Sequence, residues 1–551
     1  MREEALAAKL AGNDLNDFWQ LANNRNKSVT MSTVIDGVTG VENVTEVWRS
    51  KFHELFNSSP NNLNTTNLHD NIHHDQYEFI TQDQVKVALG KLSVNKAVGA
   101  DGIPAEVLRA ASGAFLRFLT ILVNAMLRHR YIPDIVLAVI LSPILKSRLK
   151  DATLSKSYRP IAIATAFSKL LETLILSKCG EYFKCEQNQF GFKTGHSTDL
   201  CIYTLKETIN YYTSLGSPVF IAFLDLEKAF DKVNHEKLFK ILLKRKTPPY
   251  IVEFLMYWYA QQQFQIRWNG KLSHGFRTTN GIRQGGLVSP FLFNIYMDGL
   301  SYKLNRSGIG CYINNVCVNH ICYADDIVVL SPSVVALQRI LDMCNDYADV
   351  HDMKFSVGPE GKSQCMICWP RKWTHKFLPK FILAGTLLPI VESYEYLGYT
   401  ICDSQVDNEE MMKRMRKLYS TGNMIINKFR NCSEDVKIMM FKTYFSNIYC
   451  CPLWCNYSVN TFGRLKVAHN NIFRSLMNQT RDISISAYFV TCNVKNFDNL
   501  LRSNAYSFLN RVVSSQNKLV KAVSAEGCRM YSSIWNHINK LLHANDIIYY
   551  W

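Results

Sequence analysis

A chain of 551 residues, 47% hydrophobic and 12% aromatic, is too long for one compact core and too apolar for a disordered polymer, so several globular units are expected. Its 62 Lys+Arg against 46 Asp+Glu leave a formal charge of +16, which points to a polyanionic partner, nucleic acid first, although a merely basic protein would carry the same charge. The start, Met1-Arg-Glu-Glu-Ala-Leu6, is charged where a secretory signal needs an apolar run, and no stretch of about 20 apolar residues follows. These features lead us to expect no membrane partner and a soluble, intracellular chain, in nucleus or cytoplasm, that is not secreted.

In chain order, residues 1–56 read as a helical, slightly acidic extension that ends in Val47-Trp-Arg-Ser-Lys-Phe-His-Glu-Leu-Phe56, whose apolar residues recur at helical spacing. Residues 57–76 are rich in Asn, Ser, Thr and His and read as a polar linker rather than a histidine metal site. Residues 77–127 are helical on either side of the turn-rich Ala97-Val-Gly-Ala-Asp-Gly-Ile-Pro104. From Val219 to Leu330 the pattern alternates: a strand over Val219–Leu224, a helix around His235–Leu243, and paired strands around Asp325, an α+β unit. After about residue 403 the spacing is helical, and residues 405–551 hold 19 Lys+Arg against 9 Asp+Glu, a local surplus of 10. Within that region Lys413, Arg414, Arg416 and Lys417 line the basic side of a helix suited to a phosphate backbone, or simply a solvated surface. Sixteen cysteines scattered through a chain of this length read as reduced thiols. Cys365/Cys368 and Cys451/Cys455 have zinc-like spacing, but neither pair has a second pair at the usual distance.

Three segments carry chemistry. In Ile321-Cys-Tyr-Ala-Asp-Asp-Ile-Val-Val-Leu330, two acids sit between apolar runs of strand length, so Asp325 and Asp326 project from a hairpin tip. Adjacent carboxylates repel unless a cation or proton relieves them, which points to a divalent metal, although an Asp-Asp turn alone is ordinary. The apolar run before Asp225 delivers a third carboxylate at a strand end, while Glu227 and Asp231 read as structural or solvent-facing. Asn280-Gly-Ile-Arg-Gln-Gly-Gly-Leu-Val-Ser-Pro290 is a glycine-rich loop running into a helix, with Ser289 expected as N-cap and Pro290 as the first helical residue. Its glycines let the backbone approach a ligand, and Gln284 can donate from it.

Order and spacing give these segments weight. Lys91-Leu-Ser-Val-Asn-Lys-Ala-Val-Gly-Ala-Asp-Gly-Ile103, Ser157-Tyr-Arg-Pro-Ile161, Asn188-Gln-Phe-Gly-Phe-Lys-Thr-Gly-His-Ser-Thr198, Phe223-Leu-Asp-Leu-Glu-Lys-Ala-Phe-Asp231, Gly281-Ile-Arg-Gln-Gly-Gly-Leu-Val-Ser-Pro290, Tyr323-Ala-Asp-Asp326 and Tyr396-Leu-Gly398 follow one another in a series. Over roughly residues 90–400 that series resembles the reverse transcriptase of LINE-type, non-LTR retrotransposons. The resemblance implies an α+β, right-hand polymerase: a reverse transcriptase domain over 128–402, with fingers about 128–217 and palm about 218–402, then a basic helical thumb and C-terminal region over 403–551. It implies an RNA-directed DNA polymerase that extends a primer 3′-hydroxyl with dNTPs, with Asp225, Asp325 and Asp326 holding two Mg²⁺ ions, for which Mn²⁺ can substitute. Arg159 and Lys146 would meet the incoming triphosphate, Gln284 would lie near its sugar, and Phe230 would sit beneath the deoxyribose. Lys362 stands near the family's lysine after the hairpin, which is assigned as proton donor to pyrophosphate. RNA template, DNA primer and RNA/DNA hybrid are the implied partners.

The chain also departs from the family. Members usually carry an endonuclease upstream, for which the first 90 residues have no room. Leu6–Gln20 resembles the segment after it, so a truncated copy or a gene model that begins inside the element is expected. Gly358-Pro-Glu-Gly361 before Lys362 is unusual. Two alternatives follow: a catalytically idle relic that binds RNA or DNA, and an RNA-dependent RNA polymerase, which shares palm and metals but needs a smaller residue where Phe230 stands.

Overall fold

The computed structural model describes residues 32–58, 77–147, 150–374 and 376–543. Most of the 57–76 linker and the Leu6–Gln20 segment lie outside them.

The run Val-Phe-Ile-Ala-Phe-Leu has no polar residue to turn toward water, so a strand made of it must be covered on both faces. Strand Val219–Leu224 is accordingly buried throughout and sits inside a four-stranded antiparallel sheet, ordered His320–Tyr323, Asp326–Ser331, Val219–Leu224, Gln364–Cys368. Alternation sorts its side chains: Phe220, Ala222 and Leu224 face one core, Val219, Ile221 and Phe223 another. Helices Val334–Val350 and Ser289–Arg306 contribute to the first core, with the extended segments around them. The second is filled by helix Thr198–Ser214, the hairpin Ser393–Cys402 and the helices after residue 407. Helix Thr198–Ser214 is buried from Leu200 to Asn210 without a break, which places it between sheet and C-terminal helices. Lys206 in this helix pairs with Asp407 at 2.5 Å and donates to the carbonyl of Leu453 at 2.9 Å.

A second four-stranded sheet is ordered Tyr158–Ala164, Ala138–Leu145, Gln263–Trp268, Lys271–Leu272, its first two strands preceding Val219–Leu224 in the chain and its last two following it. Helix Val41–Phe56 packs on it through Trp48, Phe52 and Phe56 against Leu141, Phe264, Ile266 and Trp268, so its aromatic stripe joins the fold rather than extending from it. The expectation of helix throughout 1–56 is corrected at Val34–Thr39, a small hairpin in which Asp36 and Gly37 both take positive φ, the turn that an Asp-Gly pair favours. Among the described residues after 403 the chain is mainly helical, as expected, including Asn408–Phe429, Val459–Leu476 and Phe497–Ser514. All sixteen cysteines are free thiols, and Cys365 and Cys368, three apart on one strand, point into opposite cores. Among the described residues no helix is long and apolar enough to cross a membrane.

Candidate active site

The hairpin forms as the apolar runs require: His320–Tyr323 pairs with Asp326–Ser331, with Tyr323 opposite Asp326 and a two-residue turn, Ala324-Asp325, between them. On the other side Ile327 pairs with Leu224, so Asp225 and Asp326, one residue further along their strands, meet at the same end of the sheet. The structure therefore gathers all three expected carboxylates. Burial raises the Asp325 carboxyl from its ordinary value, and the Asp225 charge adds to it. Burial likewise, with the charges of Asp325 and Asp225, pushes Asp326 up to about 6, although its side chain still reaches solvent. Lys362 and Arg159 work in the opposite direction on both acids.

Asp225 is gripped through its backbone. Its N–H donates to Ser363 Oγ at 3.1 Å and its carbonyl accepts from Ser356 N–H at 2.7 Å. The unusual Gly358–Gly361 segment closes as a tight turn, Gly361 N–H to Gly358 carbonyl at 2.9 Å, and returns the chain so that Lys362 Nζ lies 3.4 Å from both Asp225 oxygens. Arg159 is exposed on strand Tyr158–Ala164. Lys146 anchors its ammonium on the Lys156 carbonyl at 2.8 Å, and burial, together with Lys150, Arg159, Lys362 and Lys228, holds its pKa below the usual lysine value. The site is thus an acidic centre inside a cationic rim.

The glycine-rich loop is fixed to that rim. The Gln284 carbonyl accepts from Ala162 N–H at 2.9 Å, on the strand that carries Arg159, and Gly285 (φ +114°) has no room for a side chain, since a Cβ would come within 2.9 Å of the Ala162 carbonyl oxygen. Gln284 Nε2 donates to Asp231 Oδ1 at 2.8 Å. Asp231 is buried, which pushes it up to about 6. Of the two acids read as structural or solvent-facing, Glu227 is exposed and Asp231 is interior. Below the loop the buried Arg283 pairs with Glu172, whose other oxygen accepts from Leu287 N–H at 2.9 Å. Helix Ser289–Arg306 begins at Ser289 itself with Val288 at the cap, one residue earlier than the Ser-Pro pair implied, and without a side-chain cap bond. Phe230 is half-buried and stacks on Phe293, with centroids 4.6 Å apart and planes 16° apart.

The expected basic helix splits. Arg416 and Lys417 are exposed. Arg414 is buried, held by Glu410 and the Gly398 carbonyl and lying 4.8 Å from the Tyr449 ring, and Lys413 pairs with Glu395 at 2.9 Å. The basic face expected of all four is therefore narrower: the Arg414 guanidinium is consumed inside the protein, because position 414 turns toward the hairpin Ser393–Cys402 rather than toward water.

Two contributors escape a reading by residue type. Gln189, 4% exposed, accepts at Oε1 from Gly191 N–H at 2.8 Å and from Ala324 N–H at 2.9 Å, so it clamps the turn that carries Asp325. Gly191 permits this approach, since a Cβ there would lie 2.6 Å from the Ala324 nitrogen. Lys228, exposed and left-handed at φ +48°, adds its charge beside Lys146 and Asp231. Both stood inside quoted motifs, and only a contact 135 residues distant reveals what Gln189 does.

Three carboxylates are hard oxygen donors of the kind that hold Mg²⁺ or Mn²⁺, and their mutual repulsion is what a bound cation relieves. Among the described residues no three His, Cys, Asp or Glu side chains close to metal-holding distance, so the donor set fits in kind and position while its side chains stand apart.

The family described as "Reverse transcriptase (RNA-dependent DNA polymerase)" matches residues 144–401. The Retrovirus-related Pol polyprotein from type-2 retrotransposable element R2DM of Drosophila melanogaster is 25% identical over 347 residues, 58% of this chain and 30% of that protein. The RNA-directed DNA polymerase from mobile element jockey of Drosophila funebris is 24% identical over 483 residues, 82% of this chain and 50% of that protein. The chain spans half or less of the length of these relatives. A solved structure of apo telomerase from Candida tropicalis, truncated from its C-terminal domain, aligns over 49% of this chain and 54% of that one, at 9% identity and a TM-score of 0.31.

Proposed function

We propose, from the premise that residues 144–401 are a reverse transcriptase domain of the kind found in non-LTR retrotransposons, that the chain copies RNA into DNA by extending a primer with dNTPs. The observation that carries the reading is the cluster of Asp225, Asp325 and Asp326 at one end of an antiparallel sheet, ringed by Arg159, Lys362, Lys146 and Lys228. An acidic centre with a cationic rim suits a triphosphate delivered with divalent cations.

Each side chain has a task in this reading. Asp225, Asp325 and Asp326 are the ligands for two Mg²⁺ ions, and Mg²⁺, when bound, supplies an activated 3′-hydroxyl and charge stabilisation at the leaving pyrophosphate. Arg159, Lys146 and Lys228 hold the non-bridging phosphate oxygens. Lys362, whose ammonium already lies against Asp225, is placed to pass a proton toward the departing pyrophosphate. Gln284, oriented by Asp231, meets the nucleotide near its sugar, and Phe230, braced on Phe293, fills the space that a ribose 2′-hydroxyl needs. Catalysis then comes from positioning and electrostatics rather than from a covalent intermediate. We assign fingers to about 128–217, palm to about 218–402, and thumb to the helices after 403, with RNA template, DNA primer and their hybrid as partners.

The test is primer extension on primed RNA with dNTPs and Mg²⁺. The chain is expected to extend, and Asp225→Asn, Asp325→Asn and Asp326→Asn are each expected to lose about a thousandfold in rate, several kcal/mol of transition-state stabilisation, while retaining template affinity. Extension at the unsubstituted rate in the Asp225 or Asp325 variant would defeat the assignment.

A further inference from the structure

Strand Gln364–Cys368 begins beside the carboxylates, Gln364 opposite Phe223, and ends at the far edge, Cys368 opposite Val219. Six residues along the neighbouring strand separate Val219 from Asp225, a distance of about 20 Å. The chain that leaves at the far end has a composition unlike its surroundings. No Asp or Glu occurs between Glu360 and Glu392, while Arg371, Lys372, Lys376 and Lys380 follow Trp369 closely, and all four are exposed.

Aromatic rings stand among these cations. Trp369 is rooted in the core, edge-on to Phe220 at 5.9 Å. Trp373 stacks on Trp369, with centroids 5.7 Å and planes 27° apart, and Phe377 meets Trp369 edge-on at 5.3 Å. The stack thus runs from the interior to the surface, where Trp373 is 37% exposed, Phe377 49% and Leu378 79%. Burial raises the Asp403 carboxyl above its ordinary value, and Lys376 lies close enough to oppose part of that rise. Cations that track a backbone, interleaved with rings on which bases stack, are what unpaired nucleic acid requires, and the stacking tolerates any sequence because every base has a π-face. A paired duplex hides those faces.

We propose that this loop is a second nucleic-acid contact, taking unpaired template RNA outside the primer–template duplex. The proposal rests on the reading of RNA as template, whose stretch not yet copied is unpaired while the DNA strand being made is held in the hybrid. It assigns phosphates to Arg371, Lys372, Lys376 and Lys380 and bases to Trp373 and Phe377, about 20 Å from the carboxylates.

The test uses the full chain and a fluorescein-labelled 20-nucleotide oligouridylate, with Trp373→Ala/Phe377→Ala and Arg371→Ser/Lys372→Ser/Lys376→Ser as two independent variants. Fluorescence anisotropy is expected to show about tenfold weaker binding in each, and a salt slope flatter by about 2 in the second. Extension on a primed RNA with a one-nucleotide overhang is expected to stay unchanged in both. Unchanged affinity for the unpaired RNA would overturn the contact, as would an equal loss on the short-overhang template. Tighter binding of oligothymidylate DNA or of anionic vesicles through the same residues would overturn the choice of RNA. Failure of the unsubstituted chain to extend any primer, with the binding differences intact, would instead defeat the polymerase reading and leave this contact standing.

Discussion

Gln189→Leu separates a residue that shapes the site from one that merely fills space. Leucine matches the volume of glutamine closely but accepts no hydrogen bond, so the N–H groups of Gly191 and Ala324, now held at 2.8 and 2.9 Å, lose their acceptor in a pocket where Gln189 itself is 4% exposed. Each stranded amide costs about 1–3 kcal/mol, so about 4 kcal/mol is at stake in total. The fold recovers part of it by letting the turn swing until Ala324 N–H reaches water. Asp325 follows Ala324 in that turn, and a displacement of about 1 Å at a reacting centre is worth about a hundredfold in rate. Arg159 and Lys362 stand on other segments and keep their grip, so the expected signature is a kcat lower by about a hundredfold with KM for dNTP nearly unchanged. The assays are single-turnover extension under conditions where circular dichroism shows a folded chain, and denaturant unfolding alongside. A variant that loses stability but keeps kcat, or that raises KM alone, refutes the idea that Gln189 positions Asp325.

Phe230→Val should cut dNTP-over-rNTP selectivity by about a hundredfold, through a few kcal/mol of relieved clash; unchanged selectivity measured by competitive incorporation would make Phe230 only a neighbour of Phe293. Neutralising the exposed pair, Arg416→Ala/Lys417→Ala, should flatten the salt dependence of duplex affinity by about 1.8 in log–log slope, whereas Arg414→Ala should lower thermal stability, because it leaves the buried Glu410 unpaired. Glu207 is buried among Ser532 and Asn210, and burial pushes it up to about 7. A folded-state pKa above the unfolded value gives stability that is full below about pH 4.5 and is lost as pH rises through 7, a swing of about 3 kcal/mol. Urea unfolding of Glu207→Gln should therefore lack that decline, and a decline of equal size in the variant would assign it to another group.

The sequence was most informative where periodicity or turn chemistry acts locally. The unbroken apolar run of Val219–Leu224 and the two short runs around Asp325 specify strands, and the structure pairs them as their lengths imply. Motif order was also enough to bring Asp225, Asp325 and Asp326 to one place. What stayed hidden depends on the far partner. Nothing within a few residues of Gln189 says that its oxygen meets Ala324, or that Asp231 and Gln284, 53 positions apart, share a hydrogen bond. Helical spacing grouped Arg414 with Arg416 and Lys417 because it cannot say which flank of a basic face meets Tyr449. Ser289 missed its cap by one position, since the Ser-Pro signal is equally compatible with both residues lying inside the first turn.

The buried ammonium of Lys206 ties the part of the chain that matches the reverse transcriptase family to the last quarter of the chain. Two of its three partners, Asp407 and the Leu453 carbonyl, are encoded after residue 401, where that match ends, while the third, Tyr399 OH at 3.0 Å, lies within it, and the Trp535 ring that donates to Tyr203 OH at 2.8 Å comes later still. A stop codon just beyond residue 402 would spare Asp225, Asp325 and Asp326, yet it would remove Asp407 and Leu453 from Lys206 and uncover the apolar side of helix Thr198–Ser214 that packs against the C-terminal helices. A chain cut at residue 402, with the apolar residues of its second core uncovered, is therefore expected to aggregate.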